Sequence, residues 1–368
     1  MNTASTKLAR LGTIGALALA STILLSSCAA NETAAPATSA PASNLTGTLS
    51  GSGSSAQGAA QTAWIAAFQT ANPKVTVNYD PAGSGAGRKA FIAGGVAFAG
   101  SDSALSDAEI AAGFAGCKPT TDYVEVPAYI SPIAIIFNVK GISTLNLDAN
   151  TIAGIFKGTI TTWNDPAIAA TNKGVTLPST TITAVHRSDD SGTTANFTDY
   201  LAQAAPTVWD AKSAQKFPYA TGEAAQGTSG VVDAVTNGTD TIGYADASKA
   251  GKLGIVSVGV GTGFAAPTAD AAAAVVAAST PIAGRAATDL AIKINRVTTD
   301  PTHYPIVLVS YLITCTSFTD ATVAPLVSAY FSYVTGADGQ ATGASSAGSA
   351  PLTADAQAKI ATAIAAIK

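Results

Sequence analysis

Charge and histidine are both scarce in this chain, and the scarcity removes whole classes of chemistry. Of 368 residues only 11% are charged, and histidine occurs twice, at His186 and His303. A serine hydrolase needs a base near its nucleophile, but neither histidine accompanies a G-x-S-x-G elbow, and no such run occurs. No G-x-x-x-x-G-K-[ST] run is present for nucleotide hydrolysis. A phosphatase needs a metal cluster or an activated nucleophile, and two histidines with three cysteines suggest neither. The formal charge of -4 and the lack of a long basic run argue against nucleic acid, whose phosphates call for clustered Lys and Arg. What is abundant is apolar surface. At 47% hydrophobic residues the chain has ample material for a buried core, and its length exceeds one typical domain, so two lobes are expected.

The first 28 residues read as an export leader: Lys7 and Arg10, the apolar stretch "LGTIGALALASTILL", then "LSSC" ending at Cys28. This resembles the lipobox of bacterial lipoproteins, which implies lipidation of Cys28 and attachment to the outer face of the cell membrane. Residues 29–44, small, polar and proline-containing, read as a flexible tether. Export leaves Cys117 and Cys315 in a compartment that permits a disulfide. Spacing alone leaves open a bond between them or two buried thiols.

The most informative run is "HRSDDSGTTANFTDYL". The preceding "TITAV" alternates like a strand, and Phe197, Tyr200 and Leu201 recur at helical spacing, so Arg187, Asp189 and the Ser191-Gly192-Thr193 turn stand at a strand-to-helix junction. The first amides of a helix have no partner within it and favour an anion. Three similar junctions come earlier: the glycine turn before the Trp64, Ala67 and Phe68 face, the Ser84 turn after Val75, Val77 and Tyr79, and the strand ending at Asp102 before a capping box of Ser106 and Glu109. In open α/β sheets a ligand lies outside the carboxyl ends of the strands. His186 alternates with Arg187, which puts it on the opposite strand face and makes it structural.

These residues, in this order and spacing, resemble the phosphate-binding proteins of bacterial high-affinity phosphate ABC importers. The resemblance spans about Leu45 to Tyr333 and is densest from "GIFKGTITTWNDP" through "DYL". It implies an α/β, two-lobed type II periplasmic-binding-protein fold, with residues 45–130 plus 305–368 as lobe I and residues 131–304 as lobe II. The hinge falls near "VPAYIS" and "HYPIVL". The implied phosphate ligands are Ser55, the Ala56 amide, Ser84, Asp102, Arg187, Ser191, Gly192 and Thr193, with Asp189 bracing the arginine. Two departures stand out: Ser55-Ala56 replaces the family's frequent threonine and bulky aromatic, and "GSGAG" lacks a second serine.

The implied function is extracytoplasmic phosphate binding by a monomer, without cofactor or metal. Delivery would be to permease subunits served by a cytoplasmic ATPase. Another tetrahedral oxyanion such as sulfate or molybdate, and a phosphatase-type enzyme, remain as alternatives. The chemistry agrees with the resemblance. A desolvated dianion needs every oxygen hydrogen-bonded, Arg187 offers a planar fork, and Asp102 tolerates an anion only if the ligand carries a proton between them. Near the C-terminus, "TGADGQATGASSAGSAPL" reads as a loop and "ADAQAKIATAIAAIK" as an amphipathic helix.

Overall fold

A computed structural model describes residues 44–368. Cys28, the leader and all but the last residue of the tether lie outside the described residues. Beyond Asn44, strand and helix alternate as β1 (Gly47–Gly53), α1 (Gly58–Ala71), β2 (Val75–Asp80), α2 (Ser84–Ile92), β3 (Phe98–Ser101) and α3 (Asp107–Ala112). The three strands are parallel in the order β2-β1-β3. Val75 and Val77 are buried on one face of β2, while α1 buries Trp64 and Phe68, as their periods require. Ser106 and Glu109 close the expected capping box on α3.

The central element is β4 (Tyr123–Asn138), buried along its length except for Asn138, with the near-continuous apolar character of a strand covered on both faces. After it come β5 (Thr144–Leu147), α4 (Ala149–Lys157), α5 (Pro166–Thr171), β6 (Thr183–Arg187), α6 (Gly192–Ala204), β7 (Glu223–Ala225), α7 (Gly227–Asn237) and β8 (Thr241–Asp246). The chain continues through β9 (Gly254–Val260), β10 (Gly263–Ala265), α8 (Ala269–Ala277), the short strands β11 (Thr280–Pro281) and β12 (Ile292–Lys293), and β13 (Val307–Cys315). It finishes with α9 (Val323–Thr335), α10 (Ala337–Ala347) and α11 (Ala354–Ile364).

Two registers on β4 build the two lobes. Tyr123 to Pro132 pair antiparallel with β13, which also pairs with β3, whereas Ile133 to Asn138 pair antiparallel with β8. Beyond β8 lie β6 and β7, both parallel to their neighbours. One curled sheet thus carries a lobe at each end of a shared strand. The β13–β4 ladder shifts register between Ser310 and Tyr311, where Tyr311 pairs with Pro127, a residue that lacks a ladder donor.

The structure corrects the reading of "TGADGQATGASSAGSAPL" as a loop, since most of it is α10. Its glycines lower helix propensity, but they allow close packing on α1, where Trp64 Nε1 donates to the Gly339 carbonyl at 2.6 Å. Tertiary contact outweighs local preference here. The final helix forms as expected in α11.

Cys117 and Cys315 are joined in a disulfide with Cα atoms 5.4 Å apart. His186 stacks on Phe217 with ring centroids 4.1 Å apart, and its Nδ1 lies 3.0 Å from the Arg187 carbonyl oxygen.

Candidate functional site

The four junctions converge on Asp102, which Ser54, Ser84, Arg187 and Thr193 all reach by hydrogen bond or charge. It follows β3 directly and is 3% exposed. Its polar groups are met by three segments, β13, α2 and α6. Its Oδ1 accepts from Ser310 Oγ of β13 at 2.6 Å and its Oδ2 from Thr193 Oγ1 of α6 at 3.3 Å. Its amide donates to Ser84 Oγ at 3.1 Å, and its carbonyl accepts from Asn196 Nδ2 at 2.6 Å. Burial raises the Asp102 pKa, while hydrogen bonds from Ser310, Ser54 and Thr193 and the charge of Arg187 oppose the rise.

Gly192 opens α6 against the first lobe. A Cβ there would lie 2.5 Å from Ser84 Oγ and 2.7 Å from the Asp102 Cβ, so only glycine allows this approach. Ser191 caps α6, its hydroxyl accepting from the Thr194 amide at 3.1 Å and keeping its own proton free to donate elsewhere.

Arg187 ends β6 with its side chain 2% exposed, and Asp189 grips it through two bonds, Nε to Oδ1 at 2.7 Å and a terminal nitrogen to Oδ2 at 2.5 Å. The fork fixes the guanidinium plane. Burial alone would raise the Asp189 pKa, but the bonds and charge of Arg187, with the Gly227 amide, hold it below the usual carboxylate range.

The first turn reaches across to α7. Ser55 Oγ accepts from the Thr228 amide at 3.2 Å and lies 3.1 Å from Thr228 Oγ1, while the neighbouring Gly227 amide donates to Asp189 at 3.0 Å. The Ala56 amide donates locally to Ser54 Oγ at 3.1 Å. Ser84, Asp102, Gly192 and Thr193 thus form one contacting group and Ser55, Arg187 and Asp189 another, linked by the charge of Arg187 acting on Asp102, with Ala56 and Ser191 adjoining them in sequence.

Five participants escaped the sequence reading: Ser54, Asn196, Thr228, Arg296 and Ser310. Arg296 is buried and donates to Asp199 and to the carbonyls of Pro305 and Val307, and it pairs with Asn196 Oδ1. This bond fixes which end of the Asn196 amide faces Asp102. A signal existed for Asn196, which lies within the motif, one turn after Gly192. None existed for Ser310, since every residue of β13 is buried and its alternation carries no information.

A fold of two lobes about a polar cleft defines the class, and the family described as the PBP superfamily domain matches residues 35–338. Phosphate-binding protein PstS 3 of Mycobacterium leprae (strain TN) is 38% identical over 289 residues, 77% of each chain. Phosphate-binding protein PstS2 of Mycobacterium bovis (strain BCG / Pasteur 1173P2) is 36% identical over 372 residues, 98% of this chain and all of that one. The chain belongs to the PstS family of phosphate-binding proteins within that superfamily. Among solved structures, a high affinity periplasmic phosphate-binding protein (PfluDING) bound with phosphate superposes with a TM-score of 0.69 at 25% identity, over 86% of this chain and 93% of that one.

Proposed function

We propose that this protein captures inorganic phosphate outside the cytoplasm and delivers it to the permease of an ABC importer, with Ser55, the Ala56 amide, Ser84, Asp102, Arg187, Ser191, Gly192 and Thr193 as the ligand set. The observation that carries the reading is the pairing of a buried carboxylate, Asp102, with a braced guanidinium, Arg187, amid hydroxyls and helix-opening amides. Arg187 answers the negative charge of the ligand, and Asp102 accepts from a ligand that still carries a proton. Protonated phosphate satisfies both, whereas sulfate at neutral pH offers no proton. Family membership supports the same reading, and binding without turnover is the role we assign.

Residues 45–130 with 305–368 act as lobe I and residues 131–304 as lobe II in this reading, hinged where β4 and β13 change partners. The split pairing of β4 supports that division. Lipid on Cys28 would hold a monomer at the outer face of the membrane, within reach of permease subunits driven by the cytoplasmic ATPase.

Titration calorimetry with phosphate, sulfate and molybdate at fixed ionic strength tests the proposal, and only phosphate is expected to bind tightly. Arg187→Ala should weaken phosphate binding by about 2–5 kcal/mol, the cost of leaving a desolvated charge unpaired. Near-native affinity in that variant would move the site elsewhere. Loss of membrane association in Cys28→Ala tests the anchor.

A further inference from the structure

Behind Asp102 runs a line of buried hydrogen bonds whose direction is fixed at every step. Tyr330 OH of α9 donates to Gln61 Oε1 at 2.7 Å, and Gln61 Nε2 donates to Gln57 Oε1 at 2.9 Å. Gln57 Nε2 donates both to the Tyr311 carbonyl at 3.2 Å and to Ser310 Oγ at 2.5 Å. Because a carbonyl can only accept, the Tyr311 contact fixes the Gln57 amide, and with it every other bond in the row. Ser310 then has its lone pair engaged by Gln57 and a single proton left, which goes to Asp102 Oδ1 at 2.6 Å. Gln57, Gln61, Tyr330 and Ser310 are each at most 1% exposed, so water cannot substitute for a missing partner.

We infer that Gln57 is a specificity-determining positioning residue: by committing the Ser310 proton to Asp102, it keeps that carboxylate an obligate acceptor and so enforces selection of an anion that brings its own proton. The inference rests on the phosphate reading above and adds the residue that makes the reading chemically strict. Burial alone would favour a protonated Asp102, and a carboxylic acid donates as readily as it accepts. Such an acid would welcome sulfate. The Ser310 bond opposes protonation of Asp102, and the row from Tyr330 keeps Ser310 from turning its proton elsewhere.

Gln57→Glu is the decisive variant, because it keeps the shape and replaces the donor facing Ser310 by an acceptor. Buried against the Tyr311 carbonyl, the new carboxyl keeps a proton for that carbonyl while its oxygen accepts from Ser310, and Asp102, deprived of its donor, takes up a proton more readily. Phosphate and sulfate are titrated against wild type and variant at neutral pH and fixed ionic strength. The expected result is a phosphate-to-sulfate affinity ratio narrowed by roughly tenfold or more, through a gain in sulfate binding, as about one unit of change in protonation preference implies. A role in packing alone would weaken both anions in parallel and leave the ratio unchanged, which would overturn the inference. If Gln57→Glu does not fold, Ser310→Ala, which deletes the donor to Asp102 outright, decides by the same ratio. A wild type that binds no phosphate would instead overturn the functional reading itself.

Discussion

Two buried carboxylates illustrate how one residue type takes different tasks from different surroundings. Asp102 accepts from Ser310 and Thr193, and on the proposed reading its effect is on selectivity. Asp102→Asn keeps the size, removes the charge and adds a donor. The variant should bind sulfate measurably while its phosphate affinity changes, and continued rejection of sulfate in calorimetry would reduce Asp102 to a structural residue. Glu125, on β4, has no such access to a ligand. Leu105 donates its amide to both carboxylate oxygens, at 3.0 and 3.3 Å, yet burial, followed by repulsion from Asp289, raises its pKa from 4.5 to about 8. Folded protein holds this proton to a higher pH than unfolded chain does. The favourable contribution is therefore complete below about pH 4.5 and lost as pH rises through 8. Between pH 5 and 8 the thermal midpoint of wild type should fall more steeply than that of Glu125→Gln, by an amount equivalent to about 1–4 kcal/mol. Burial also raises the pKa values of Asp102 and Asp246, but both act alike in the two proteins, so parallel curves would show that Glu125 is ionised at neutral pH.

At the scale of elements, legibility followed periodicity and local chemistry. The strand-to-helix junctions at Ser84, Asp102 and Arg187 were readable because an alternating run, a short-side-chain turn and a helical face follow one another within a dozen residues. The capping box of α3 was readable for the same reason. What could not be read depends on partners far along the chain. Ser310 meets Asp102 from a strand 208 positions away, and Thr228 meets Ser55 across 173. The α10 segment is the plainest failure, since its composition argues for a turn and packing against α1 and α9 makes it a helix. Gly339 is where that packing is tightest: a Cβ would fall 2.0 Å from the Tyr333 carbonyl oxygen and 2.7 Å from the Val334 Cα, both backbone atoms that cannot yield cheaply. Gly339→Ala should raise intrinsic helix propensity yet destabilise the fold by about 1–3 kcal/mol, as overpacked cores do. Denaturant unfolding decides the sign, and a stabilised variant would mean that propensity governs α10.

The molecule as a whole has an architecture in which the chain leaves the first lobe, builds the second, and returns. The disulfide closes that excursion. Cys117 lies just before β4 leads out, Cys315 ends the strand that leads back, and the bond spans a separation of 198 positions that includes β4 to β13. A cross-link acts mainly on the unfolded chain, by removing the freedom of the closed loop, and for a loop this long the chain-entropy model gives about 5 kcal/mol, with measured values commonly about 2–5 kcal/mol. The bond itself makes no contact with Asp102, Arg187 or the hydroxyls around them. Reduction, or the Cys117→Ala, Cys315→Ala double variant, should therefore lower the free energy of unfolding by about 2–5 kcal/mol while phosphate affinity, measured well below the transition, stays close to that of the oxidised protein. Thiol titration confirms that the bond is open, denaturant curves with and without reductant give the stability, and calorimetry gives the affinity. If affinity dropped in proportion to stability, the bond would be holding the cleft in shape as well as restraining the unfolded chain, and the two lobes would have to be treated as mechanically coupled through β13.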